Sequence, residues 1–177
     1  RDGTVTEQVA QTAATYVNGD KIDHWLTDRA DQEWEETTRR LVDITEAGES
    51  VYVAVIKVSS DYSHRIYVFD TVNRKEVNSK VYELGFRQSL EKKTADYIEM
   101  LRDILEHGES VSLFSYKKGV GHVTSSVPLY NSEGKPCAIV SVYKPMHEIK
   151  AYKKRFLQSI IIWALVVTAV FVALYAL

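Results

Sequence analysis

Five histidines and one cysteine are the residues of this chain best suited to metal or nucleophilic chemistry, and their spacing argues against both. His24, His64, His107, His122 and His147 show no HxH or HExxH pattern, and Cys137 lies in an apolar run with no second thiol to pair with. Neither a metal site nor an internal disulfide is expected. There is no GxSxG serine, no glycine-rich phosphate loop and no Ser-His-Asp arrangement, so we expect no catalytic residues, no cofactor and no enzymatic activity in this stretch. Tyrosine is the unusual residue, at 11 copies. Tyrosines along one face of a sheet offer apolar area with hydroxyl ends, which suits the wall of a ligand pocket better than a reaction centre.

Such a pocket needs a framework, and 177 residues at 45% hydrophobic content provide for one domain and little more. Charges are abundant but balanced, 22 basic against 24 acidic, which speaks against nucleic acid as a partner. Val5, Val9, Ala13, Tyr16 and Val17 recur at helical spacing, and a second helix carries Trp34, Thr38, Leu41, Val42 and Thr45 on one side and ends at Gly48. Residues 1–50 thus read as N-terminal helices. Val51 to Val58 is apolar on both alternating faces apart from Lys57, the mark of a central strand, and His64 to Thr71 reads as its hairpin partner. Alternation there places Tyr67 and Phe69 on a common face.

Val72 to Gln88 has no sustained period and reads as a long loop, ordered by Tyr82, Leu84, Gly85 and Phe86. A helix over 89–107 follows, with Ser89 as its cap and Leu90, Thr94, Tyr97, Ile98, Leu101, Ile104 and Leu105 on one stripe. Val111 to Tyr116 is the third strand. Two more strands are joined by the turn Asn131 to Gly134, with Pro128 and Pro136 expected at strand ends or edges. The expectation is an α/β (α+β) domain whose five-stranded antiparallel sheet and middle helix occupy 51–146.

The closing hairpin, Gly121 to Met146, resembles the last two strands of Cache domains, the PAS-like sensor domains of bacterial transmembrane receptors. The likeness lies in a polar strand, Ser126 to Tyr130, the Gly134 turn, and a small/apolar strand, Ala138 to Tyr143, aimed at an apolar segment. It implies a single-module Cache fold with a ligand pocket between the sheet, the middle helix and the long loop. On that layout Tyr67 and Phe69 form the second-strand wall, Tyr116 the third, His122, Thr124 and Ser126 the fourth, Ser141 and Tyr143 the fifth, and Tyr82 with Arg87 the lid. Cys137 and Ile139 would share the face of Ser141. Tyr143 stands where amine-binding members carry an aspartate, and the Arg-x-Trp-Tyr motif of amino-acid-binding members is absent, so the implied ligand is a small neutral or anionic molecule.

Leu157 to Leu177 carries no charge and is long enough to cross a bilayer, which makes it the expected transmembrane helix after a linker at 147–156. His147 beside Glu148 resembles a phosphoacceptor pair but lies on the wrong side of that segment. Lys150, Lys153, Lys154 and Arg155 directly before the span are the pattern of a cytoplasmic flank. Placement outside the cytoplasm therefore rests on the usual topology of the family. The chain reads as an excised part of a receptor that is a homodimer through its first helix, with an output module such as a diguanylate cyclase, histidine kinase or chemoreceptor beyond it. A ligand-free structural or dimerisation module is the alternative.

Overall fold

The computed structural model describes residues 2–75, 79–117, 120–146, 158–163 and 168. Its elements are α1 (Asp2–Thr15), a 3-10 turn (Gly19–Lys21), α2 (Ile22–Asp28), α3 (Gln32–Ala47), β1 (Tyr52–Val58), β2 (His64–Val72), β3 (Arg87–Ser89), α4 (Ala95–His107), β4 (Val111–Lys117), β5 (Val120–Tyr130) and β6 (Pro136–Pro145). The strands form one antiparallel sheet in the order β3-β2-β1-β6-β5-β4, an α+β arrangement. It has six strands rather than the expected five. The additional one, β3, is only Arg-Gln-Ser, too short and polar to show a period of two, and it forms at the end of the long loop by pairing with Ile66 and its neighbours.

β1 is central, as its doubly apolar pattern requires, and it feeds two cores. Val53 and Val55 pack under α1, α2 and α3 with Leu41, Val68, Phe69, Val140 and Val142. Ala54, Ile56 and Val58 face the other way, toward Tyr67, Leu101, Ile104 and Ile139. The first helix buries Thr6, Ala10 and Ala13 and leaves Val5 exposed, and directly after it Val17 is buried and Tyr16 exposed. Small residues let it lie close over β5 and β6. The chain after it is as tight, because a Cβ at Gly19 would stand 2.3 Å from the carbonyl oxygen of Tyr130.

The N-terminal layer is fixed by one carboxylate. Asp31 caps α3 by accepting from the Trp34 backbone N–H at 2.8 Å, and the same oxygen accepts from the Trp25 indole at 2.9 Å. The two indoles then clasp Phe69, Trp25 edge-on and Trp34 stacked, each with centroids 5.3 Å away. The Trp34 indole N–H also donates to the carbonyl of Val68 at 3.0 Å.

Val68 is the extra residue of a β-bulge. Val55 pairs with Phe69 but Ile56 pairs with Tyr67, so β2 spends one more residue than β1 at that point. The expected common face of Tyr67 and Phe69 is therefore broken: Phe69 enters the helix-side core and Tyr67 the opposite one. A second irregularity in β6, where Leu129 pairs with Ala138 and Tyr130 with Pro136, turns Cys137 away from Ile139. Its thiol then meets the carbonyl oxygens of Gly19 and Leu129.

Other expectations shift at their boundaries. The middle helix starts at Ala95, not Ser89, because the Thr94 side chain accepts the Tyr97 N–H while Ser89 is taken up by β3. Pro128 lies beyond Ser126, where the pairing of β5 with β4 ends, so its missing N–H costs no ladder bond on that side. Asn131 to Gly134 do make the turn, with Gly134 at φ 73°. The expected linker 147–156 and most of the expected span Leu157 to Leu177 lie outside the described residues, within which Gln158 to Trp163 are helical. Among the described residues no helix is long and apolar enough to cross a membrane.

Phe69→Ala is predicted to cost about 3 to 5 kcal/mol, since it empties the space between two fixed indoles. Arg87→Ala, at an exposed position, should stay within about 0.5 kcal/mol of the parent. Urea unfolding of both variants measures the contrast, and equal losses would contradict the packing described.

Candidate functional site

On the face opposite the N-terminal helices the sheet and α4 do not close fully, leaving a cavity of about 350 Å³. Its floor is Tyr52, Ala54 and Ile56 from β1, Arg65, Tyr67 and Asp70 from β2, Ser141 from β6, Thr124 and Ser126 from β5, and Leu113 from β4. Tyr97, Met100 and Leu101 of α4 form the roof with Lys93, and Lys80 with Tyr82 close the rim. The bulge determines this set: with Val68 as the extra residue, Arg65, Tyr67 and Asp70 all reach the cavity although their numbering does not alternate evenly.

Of the side chains expected from sequence, Tyr67, Tyr82, Thr124, Ser126 and Ser141 come together around the cavity. Ser126 and Ser141 share a hydrogen bond of 2.8 Å across the β5–β6 pair. His122 and Tyr143 lie beside the cavity on the same face without lining it. Tyr143 stacks on Tyr52 at 5.0 Å and His122 stacks on Tyr143 at 4.8 Å, a ring ladder across three strands. Among the described residues the buried Nδ1 of His122 has no hydrogen-bond partner.

Three assignments are corrected. Phe69 is on the helix side, for the bulge reason given above. Tyr116 lies on the exposed edge strand, where alternation gives the cavity Leu113 and turns Tyr116 toward Met146 and Gly121 on the other face. Arg87 points outward, its Nη2 donating to His64 Nε2 at 2.6 Å, because the next residue of β3, Gln88, takes the inward position.

The basic residue that the sheet contributes to the cavity is instead Arg65, which sequence reasoning passed over. Its Nε donates to Gln88 Oε1 at 2.8 Å and its Nη1 to the Tyr97 hydroxyl at 2.9 Å, with the guanidinium 5.3 Å from the Tyr67 ring centroid. Lys93 lies over Tyr97, and Lys80 over Tyr82 and Phe86. The signal available in the sequence was position: Arg65 and Tyr67 are two apart on one strand.

Burial pushes the Tyr52 and Tyr67 hydroxyls up to about 12, so both remain protonated donors at neutral pH. Burial also raises Asp70, against the opposing effects of the Tyr82 backbone N–H, which donates to Oδ2 at 2.8 Å, and of Arg65. That bond ties the loop to the sheet. Backbone bonds from Gly85 N–H to the Tyr67 carbonyl and from Tyr67 N–H to the Phe86 carbonyl hold it further, and the Tyr67, Tyr82 and Phe86 rings cluster there. The site is thus a pre-formed aromatic box with cationic walls, able to bind and orient a small molecule.

Comparison with known proteins finds no matching family model and no match among curated proteins. Among solved structures, the ligand-binding domain of the Campylobacter jejuni chemoreceptor Tlp3 in complex with 4-methylisoleucine aligns at 12% identity and TM-score 0.44, covering 81% of this chain and 50% of that one. The periplasmic domain of Chlamydia trachomatis RsbU aligns at 10% identity and TM-score 0.40, covering 64% of this chain and 36% of that one. A light-oxygen-voltage domain aligns at 17% identity and TM-score 0.40, covering 68% of this chain and 93% of that one. The chain therefore spans half or less of the first two. These likenesses are loose, and the character of the site rests on its own geometry.

A pH prediction follows from Asp70. With its folded value raised, the folded state holds the proton more tightly than the unfolded chain does. Asp70 therefore weakens the fold as pH rises from its usual value through the raised one, and the cost is fully present above that window. Asp70→Asn keeps an acceptor for the Tyr82 N–H and removes the titration. Its stability relative to the parent, read from urea unfolding, should grow as pH rises from about 3 to about 7. A difference that stays flat or shrinks would mean that Asp70 is not desolvated.

Proposed function

We propose that the chain is the ligand-sensing domain of a transmembrane signal receptor of the Cache, PAS-like class, with its output module elsewhere in the protein and no catalysis of its own. The observation that carries this reading is the partly polar cavity between the sheet, α4 and the loop at 80–82. A module used only for spacing or dimerisation has no need of a space of about 350 Å³ surrounded by tyrosine, serine, threonine and arginine. The ligand is a small neutral or anionic molecule, held behind the Tyr82 lid.

The test is a thermal-shift screen of neutral, cationic and anionic small metabolites. A binder present at 100 times its dissociation constant should add about 2.7 kcal/mol of stability. If no compound of any charge class raises the melting temperature, the structural-module reading replaces this one.

Placement outside the cytoplasm and self-association complete the proposal. α1 and the residues just after it support the second, because Thr6, Ala10, Ala13 and Val17 are buried while Val5 and Tyr16 are left for a partner copy. Single cysteines at Val5 or Tyr16, in a Cys137→Ser background, should crosslink when a membrane-impermeant bis-maleimide is added to intact cells. Crosslinking only after lysis would contradict the outside placement, and labelling without dimers would contradict the interface.

A further inference from the structure

We infer that the cavity takes a small aromatic carboxylate and that Arg65 is the residue that holds its carboxylate group. The inference rests on the sensing reading above and adds the chemical class of the ligand. Its basis is an unbalanced set of charges. Two of the guanidinium nitrogens of Arg65 are spent on neutral acceptors, the Gln88 amide and the Tyr97 hydroxyl. Among the described residues Arg65 forms no ion pair, and neither do Lys80 and Lys93 at the same cavity.

Among the described residues the lining holds one carboxylate, Asp70, whose Oδ2 accepts the Tyr82 backbone N–H, so three cations face a single anion. A half-buried guanidinium oriented by neutral groups keeps its remaining N–H donors for an incoming anion, and a planar carboxylate matches that fork. An ammonium group would find three cations lining the same space against the one carboxylate that the described lining holds, Asp70.

The rest of the cavity describes the body of the ligand. Tyr52, Tyr67 and Tyr97 present rings beside Ile56 and Leu101, a lining made for a flat apolar group. At the far end the paired hydroxyls of Ser126 and Ser141 can meet a polar ring substituent. A volume of about 350 Å³ is at the small end of the range of about 300 to 1,000 Å³ for ligand pockets, which fits a one- or two-ring acid.

The experiment is calorimetric titration of the full 177-residue chain in detergent micelles. The probes are benzoate, phenylacetate, 4-hydroxyphenylacetate and indole-3-acetate, each against its neutral amide, with phenethylamine and acetate as controls. At least one aromatic acid should bind about tenfold or more tightly than its amide, the amine or acetate. Arg65→Gln should weaken that acid about tenfold or more, Arg65→Lys should recover part of the loss, and the outward-facing Arg87→Gln should change nothing. Circular dichroism and the unliganded melting temperature establish that Arg65→Gln is folded. Should it not be, Tyr97→Phe removes one support of the guanidinium and should weaken the acid several-fold without touching its amide. The inference is overturned if none of the four acids binds, if an amide or the amine binds as tightly as its acid, or if binding survives both substitutions. When neutral or cationic compounds of the wider screen bind while these acids do not, only the ligand class is wrong. When nothing binds at all, the sensing reading falls with it.

Discussion

The cavity depends on a single irregular step in β2, the bulge at Val68. A regular strand would have placed Tyr67 and Phe69 on one face and moved either the aromatic wall of the site or the keystone of the helix-side core to the wrong layer. The bulge separates them, and it does not stand alone. The bulged residue's own carbonyl accepts the Trp34 indole N–H, and the ring of the next residue fills the slot between Trp25 and Trp34. Both tryptophans converge on Asp31 Oδ1, Trp25 through its indole N–H and Trp34 through its backbone N–H, so a helix cap a whole helix before β1 holds the register of β2.

That arrangement divides stability from function between the two faces of one sheet. The helix-side core is closely packed, with Trp25, Leu41, Val53, Val55 and Phe69 at 0 or 1% exposure. On the other side Leu101 and Ile104 fill only part of the space, and the remainder is lined by groups that are poor for packing: hydroxyls, a guanidinium and a desolvated carboxylate. Unfilled volume and buried charge both weaken a fold. They persist here because the opposite layer supplies the contacts that this one forgoes.

Much of this was legible in the chain. The doubly apolar run Val51 to Val58 identified the central strand, the Asn131 to Gly134 turn set the last hairpin, and the polar alternation of Thr124, Ser126 and Ser141 put those hydroxyls on the cavity face. Two of the failures have a common cause. Alternation carries position only while the ladder is regular, and Phe69 and Cys137 both lie at a bulge. A bulge in an apolar run leaves no mark in composition, because Val-Phe reads equally well on either side. Arg87 failed for a related reason, since β3 is too short to reveal its inward residue, and the tertiary pairing with Ile66 gave that place to Gln88.

The same pairing explains why the cavity's arginine could not be located by looking for one in the lid. Gln88 faces inward because β3 is in register with β2, and from there its amide oxygen takes the Arg65 Nε while the Tyr67 hydroxyl approaches it at 3.4 Å. A second arginine at that place would have set two guanidinium groups against each other in a half-buried space, which like-charge repulsion disfavours. An amide has the opposite effect, because it orients the Arg65 fork without neutralising it. Tyr97 does the same from α4. The edge strand and the helix therefore converge on one charged group from two sides, and the site's electrostatic character is a product of sheet register rather than of any motif along the chain.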